Sequence, residues 1–144
     1  MARVFISGSS TGLGLLAGRW LAERNHEVTL HARNEQRTSE LRAALPQARV
    51  VLGDLSRMAD VHEVADQVNA LGRHDAVIHN AAVYRQPERI ETDDGLSLTF
   101  AVNVLAPYLL TALVERPDRL VYLTSGQRRA TPNASIVSRS LLSE

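Results

Sequence analysis

The 144-residue sequence contains no cysteine, so disulfide cross-links and thiol chemistry are excluded. It carries no net charge, because sixteen basic residues balance sixteen acidic ones. That balance offers no electrostatic grip on nucleic acid or on an anionic membrane. No apolar run is long enough to span a bilayer. The opening Met1-Ala2-Arg3-Val4 leads straight into a strand pattern and lacks the long apolar core of a secretion signal. These absences point to a soluble, cytoplasmic protein, and no metal site is expected. The length suits one domain with a real core.

What the chain does have is Ser7-Gly8-Ser9-Ser10-Thr11-Gly12-Leu13-Gly14, directly after the apolar run Val4-Phe5-Ile6. A helical pattern follows, with Leu13, Leu16, Ala17, Trp20 and Leu21 on one stripe, so Trp20 is expected in the core or partly covered. A strand, a Gly-rich turn and a helix start form the opening of a nucleotide-binding βαβ unit. Gly8 permits a sharp turn off the strand. Gly12 leaves room for a phosphate against bare backbone, and Gly14 is expected to let the helix pack close to the sheet. The N–H groups and dipole of the helix start then face the anion.

Further units follow in order. Strand patterns cover Glu27 to Ala32, Ala48 to Gly53, Asp75 to Asn80 and Arg119 to Thr124. Helical patterns cover about Glu35 to Leu45, stopped by Pro46, and Arg57 to Leu71, with Ser56 as the expected cap. A long helix is expected from Gly95 to about Glu115. Pro107 within it cannot bond the Asn103 carbonyl, so a kink is expected there, with that carbonyl open to water. His79 lies inside a strand and reads as a packed residue. Strands alternating with helices predict an α/β domain with a parallel sheet. At the end of the second strand, where an NAD site would carry an acid, the chain has Ala32 followed by Arg33-Asn34. A carboxylate would repel a 2′-phosphate, whereas the Arg33 fork suits one.

The turn resembles the [ST]-G-x-x-x-G-x-G cofactor motif of the short-chain dehydrogenase/reductase family, and the resemblance extends from about Arg3 to Gly126. It implies a Rossmann-like doubly wound sheet of order 3-2-1-4-5, in three α/β/α layers and truncated after strand five. It also implies an oxidoreductase that passes hydride between a nicotinamide and a small carbonyl or alcohol substrate, with NADP(H) preferred over NAD(H). Ser7, Gly8, Ser10, Thr11, Gly12, Leu13, Gly14, Arg33 and Asn34 would serve the pyrophosphate and ribose. Asp54 and Leu55 would line the adenine pocket. Asn80-Ala81-Ala82, similar to the family's Asn-Ala-Gly, would meet the ribose and nicotinamide. Ser125 would hold the substrate oxygen, and the Asn103 carbonyl would hold a relay water.

The family's Tyr-x-x-x-Lys acid/base pair has no counterpart. Nothing after Ser125 is Tyr or Lys, and residues 127–144 read as a Ser/Arg-rich tail to a cofactor-binding domain over 1–126. Three readings stay open: a piece of a longer chain, a reading frame altered near Ile136, or a naturally short protein. The last would be a non-catalytic NADP(H)-binding module. A mononucleotide or other phosphate ligand at the same turn is a further reading, against which the paired Asp54 and Asn80 signals argue. A sheet ending at strand five would expose an edge and apolar surface, so a homo-oligomer is expected.

Overall fold

Short apolar runs punctuated by glycine and polar turns become five parallel strands in the computed structural model, which describes residues 1–84 and 88–124. These are β1 (Arg3–Ile6), β2 (Glu27–Ala32), β3 (Arg49–Leu52), β4 (Ala76–His79) and β5 (Arg119–Tyr122). The sheet order is β3-β2-β1-β4-β5, as the family resemblance implies. Ile6 stands beside Leu30 on one side and Ile78 on the other, and every neighbouring pair is parallel. The carboxyl ends of all the strands therefore share one edge. The chain passes from β1 to β2 on one side and later returns to β4 on the other, which opens a crevice at the end of β1.

Three helices complete the crossovers: α1 (Gly12–Ala22), α2 (Glu35–Ala44) and α3 (Met58–Ala70). Strand alternation sends Phe5, Val51 and Val77 to one face, where they meet Val61, Val64 and Val68 of α3. Val4, Ile6, Val28 and Leu30 go to the other face, against Leu41 of α2 and the half-buried Leu15 and Leu21 of α1. Each fully buried valine or leucine contributes about 1.5–3 kcal/mol relative to exposure. Helices on both faces of the sheet give the expected three layers.

Four expectations change in detail. On α1, Leu13, Leu16 and Trp20 lie on the outside, each more than half exposed. The Trp20 ring instead lies under the Arg24 guanidinium, 3.7 Å from the ring centroid. The side that faces the sheet carries Gly14 and Gly18. Gly18 sets the approach, because a Cβ there would lie 2.8 Å from Leu30 Cδ2. A Cβ at Gly14 would instead collide with Asn80 Nδ2 and the Gly8 carbonyl, so that glycine packs against the turn rather than the sheet.

Ser56 does not cap α3. Its N–H is drawn into a turn by Asp54 Oδ1, and the carboxylate that accepts the Met58 N–H, at 2.8 Å, is Asp94 Oδ2 from a loop 36 residues further on. Asp94→Ala should lower stability by about 1 kcal/mol, a fall in melting temperature of about 3 °C. Differential scanning calorimetry would test it.

The long helix begins at Leu98 rather than Gly95 and is not uniform. It runs as α4 (Leu98–Phe100), a π-helical turn over Ala101–Leu105, and α5 (Ala106–Leu113). The Ala106 N–H reaches back five residues to the Ala101 carbonyl. A widened turn immediately ahead of Pro107 is how the helix accommodates the missing N–H and the crowding ring. Asn69 of α3 then closes the C-terminal end of α5, donating to the Leu113 carbonyl and accepting the Glu115 N–H.

Candidate functional site

The Gly-rich turn leaves β1 at Ser7 and re-enters regular structure at Gly12. Gly8 adopts φ +61°, and a Cβ there would lie 2.5 Å from Ala81 Cα. Turn and β4 end are thus in backbone contact, which only glycine at 8 permits. Gly12 also has positive φ, +58°, but open space surrounds its missing Cβ. Bare backbone facing open space is what an anion needs to approach closely. Thr11 stands at the head of α1 with no side-chain cap bond. Among the described residues, no acceptor serves the N–H groups of Thr11, Gly12 or Leu13. These donors and the positive end of α1 face the crevice mouth.

The residues that hold the turn are its buried ones. Ser7 is 2% exposed, and its hydroxyl accepts the N–H groups of both Asn80 and Ala81. The Asn80 side-chain amide donates to the carbonyls of Ser7 and Gly8, at 3.2 and 2.8 Å. Asn80 therefore bridges the ends of β1 and β4 through its side chain, as its amide chemistry suggests. Ser10 is half-buried, and Thr11 and Leu13 are exposed at the mouth.

On the β2 side, Ala32 is fully buried and Arg33 is exposed. Among the described residues Arg33 makes no ion pair. Its neighbour Asn34 caps α2, with Oδ1 accepting the Arg37 N–H. Beyond β3, Asp54 holds the turn into α3 through Oδ1 and receives Asp60 Oδ2 on its own N–H. Leu55 is buried among the α3 core residues.

Two contacts escaped the sequence reading. The Asn103 side chain, not only its carbonyl, is engaged: Oδ1 accepts the Val83 N–H and Nδ2 donates to the Val83 carbonyl, at 2.8 and 3.0 Å. That pair fastens the segment following Asn80-Ala81-Ala82 to the π-helical turn. The other is His31, buried at the end of β2, whose Nδ1 accepts the Gly8 N–H and whose Nε2 meets the Gly53 carbonyl. No motif spacing flags His31, and the spacing to Pro107 that flags Asn103 points to its carbonyl rather than its side chain. A polar side chain placed in a buried strand end is the signal that could have found His31.

His79 is packed, as expected. It stacks on Tyr122 with ring centroids 4.8 Å apart, and Nε2 contacts Thr111 Oγ1. Burial pushes its pKa down to about 4. The Ser125 position and residues 127–144 lie outside the described residues. All sixteen basic residues outside the histidines are arginine, so the chain has no lysine to stand four residues after a tyrosine.

Among the described residues no group of His, Asp or Glu side chains is arranged to hold a metal ion, and no helix is long and apolar enough to cross a membrane. The arrangement can bind an anionic, extended ligand. Donors cluster at the turn, an exposed guanidinium stands on one flank, and an amide-stitched strand end lies on the other.

The family model described as short chain dehydrogenase matches residues 2–120. A short-chain dehydrogenase of Penicillium rubens is 44% identical over 126 residues, covering 87% of this chain and 48% of the relative. An uncharacterized oxidoreductase of Emericella nidulans is 46% identical over 129 residues, covering 87% of this chain and 51% of the relative. Among solved structures, a gluconate 5-dehydrogenase of Burkholderia cenocepacia, in complex with NADP and tartrate, superposes with a TM-score of 0.63 at 25% identity. It covers 78% of this chain and 47% of that one. The chain thus spans about half the length of the curated relatives it matches.

Proposed function

Because this chain belongs to the short-chain dehydrogenase family, we propose that it is the cofactor-binding part of an NADP(H)-dependent oxidoreductase acting on a small carbonyl or alcohol. The observation that carries the reading is the pairing of an unsatisfied N–H cradle at Thr11, Gly12 and Leu13 with an exposed Arg33 after the buried Ala32. The cradle suits the pyrophosphate. Ala32 leaves no carboxylate to repel a 2′-phosphate, and Arg33 can pair with it bidentately. Asp54 and Leu55 would border the adenine, and Ala81 and Ala82 the ribose and nicotinamide. The bound nicotinamide would supply or accept hydride. The chain's own residues hold the dinucleotide in place, and Ser125 would orient the substrate oxygen. The structurally similar gluconate 5-dehydrogenase was solved in complex with NADP, which is consistent with this choice.

Calorimetric titration with NADPH and NADH tests it. NADPH binding well above NADH supports the reading, and binding of neither overturns it. The second reading is a non-catalytic NADP(H)-binding module. It is favoured by one observation, the lack of any lysine to complete a Tyr-x-x-x-Lys pair within these residues. Dinucleotide binding without turnover by the complete gene product would select it.

A homo-oligomer is also proposed for this chain. Leu120, Val121 and Tyr122 on β5 are each at least 40% exposed, and among the described residues β5 pairs only with β4. Analytical sedimentation should show a dimer or larger species, and a stable monomer at low concentration would overturn it.

A further inference from the structure

We infer that His31 is a positioning residue for the dinucleotide, a neutral clamp that sets the separation of the pyrophosphate cradle from the adenine pocket. The inference rests on the cofactor reading above and deepens it. The geometry is specific. The Gly8 N–H can only donate and the Gly53 carbonyl can only accept, so a ring bonded to both, at 3.0 and 2.7 Å, must be neutral with its proton on Nε2. One end of the ring holds the first glycine of the cradle. The other holds the residue immediately before Asp54. The backbone of His31 adds two more ties to the turn: its N–H donates to Ser9 Oγ, and its carbonyl accepts the Ser9 N–H. The Ser9 hydroxyl is itself anchored on the Ile6 carbonyl. Through this one side chain, the two ends of the ligand site share a rigid spacer.

Protonation would break the clamp, because an imidazolium has no acceptor for the Gly8 N–H. The charged groups around the ring are few. Asp54 follows Gly53 and faces it electrostatically. Asp60 of α3 is held on the Asp54 N–H, and Arg33, two residues along, points into solvent as an exposed side chain. The Gly-rich turn offers only neutral hydroxyls and amides. Burial dominates over the attraction of Asp54 and keeps the ring neutral.

The test uses three proteins: the wild-type chain, His31→Gln and His31→Leu. Glutamine can accept from Gly8 and donate to Gly53 but does not titrate. Leucine can do neither. Calorimetric titration with NADPH and NADH near pH 7.5 should show His31→Leu weakened about tenfold or more toward both ligands. His31→Gln should stay within about threefold of wild type. NADH affinity, free of the 2′-phosphate that itself titrates near pH 6, should then fall more steeply in wild type than in His31→Gln as the pH is lowered through the depressed His31 pKa. Wild-type binding with His31→Leu equal to it overturns the inference and leaves the cofactor reading standing. So does an identical pH dependence in wild type and His31→Gln, a comparison that holds even if the leucine variant fails to fold. Absence of any dinucleotide binding by the wild-type chain overturns both, and is recognisable as the failure of the cofactor reading.

Discussion

Replacing Arg33 by alanine should weaken NADPH binding about 10- to 100-fold and leave NADH binding within about twofold. The range follows from removing a hydrogen-bonded charge partner, worth about 1.5–3 kcal/mol. The selectivity follows from position. Arg33 is exposed at the carboxyl end of β2 and makes no ion pair among the described residues, so its loss disturbs little of the fold. The only feature that distinguishes the two ligands is the 2′-phosphate, which NADH lacks. Arg33→Glu should go further and invert the preference, since a carboxylate repels the phosphate and can accept ribose hydroxyls. Competitive titration of both ligands against each variant checks this. Equal losses for NADPH and NADH would place Arg33 away from the 2′ position.

The second large effect is acid lability. His31, His74 and His79 are all buried, and all have pKa values lowered from 6.5. Burial is the first cause in each case. At His74 the Arg3 charge adds to it, while at His31 the Gly53 bond and Asp54 partly oppose it. The unfolded chain binds protons at these sites more readily than the folded one, so stability rises with pH between the two values. Their contribution is complete above about pH 6.5 and is lost as the pH falls through the lower folded values. For His79, a shift from 6.5 to about 4 corresponds to about 3 kcal/mol. His31 and His74 add to it. The unpartnered Nδ1 atoms of His74 and His79 are consistent with this, since neither ring has an acceptor waiting for a second proton there among the described residues. Urea unfolding at pH 7, 5 and 4 should show the loss. His79→Phe keeps a flat ring against Tyr122 and removes the ionisation, so its curve should lack the His79 share. Matching pH dependence in the two proteins would disprove the assignment.

Much of the sheet was legible because parallel strands are buried on both faces and announce themselves as contiguous apolar runs, as in Val4-Phe5-Ile6 and Val50-Val51-Leu52. The cradle was legible because its geometry demands glycine at a fixed place after a strand. What escaped was decided by distant neighbours. Ser56 has the right chemistry for a cap, but Asp94 arrives from a loop far along the chain and takes the position. The stripe of Leu13, Leu16 and Trp20 has helical period, yet period alone does not say which side of a helix has a partner. Gly18 does, because only a missing side chain there lets the helix approach Leu30 this closely. Pro107 announced a disturbed helix, but its form, a widened turn that delivers the Asn103 amide to Val83, depends on a contact with the segment after β4 that no local pattern reveals.

The contact between Gly8 and Ala81 has a thermodynamic consequence. Where backbone meets backbone with no side chain between, neither segment has rotamers to lose. The cradle and the end of β4 are ordered before a ligand arrives, so binding at that corner carries little conformational entropy penalty. Arg33 is the opposite: a long, exposed side chain must give up its freedom to grip a phosphate. On the proposed reading, one corner of the site would thus supply affinity common to every nicotinamide dinucleotide. Discrimination between them would fall to the one partner that must be immobilised each time.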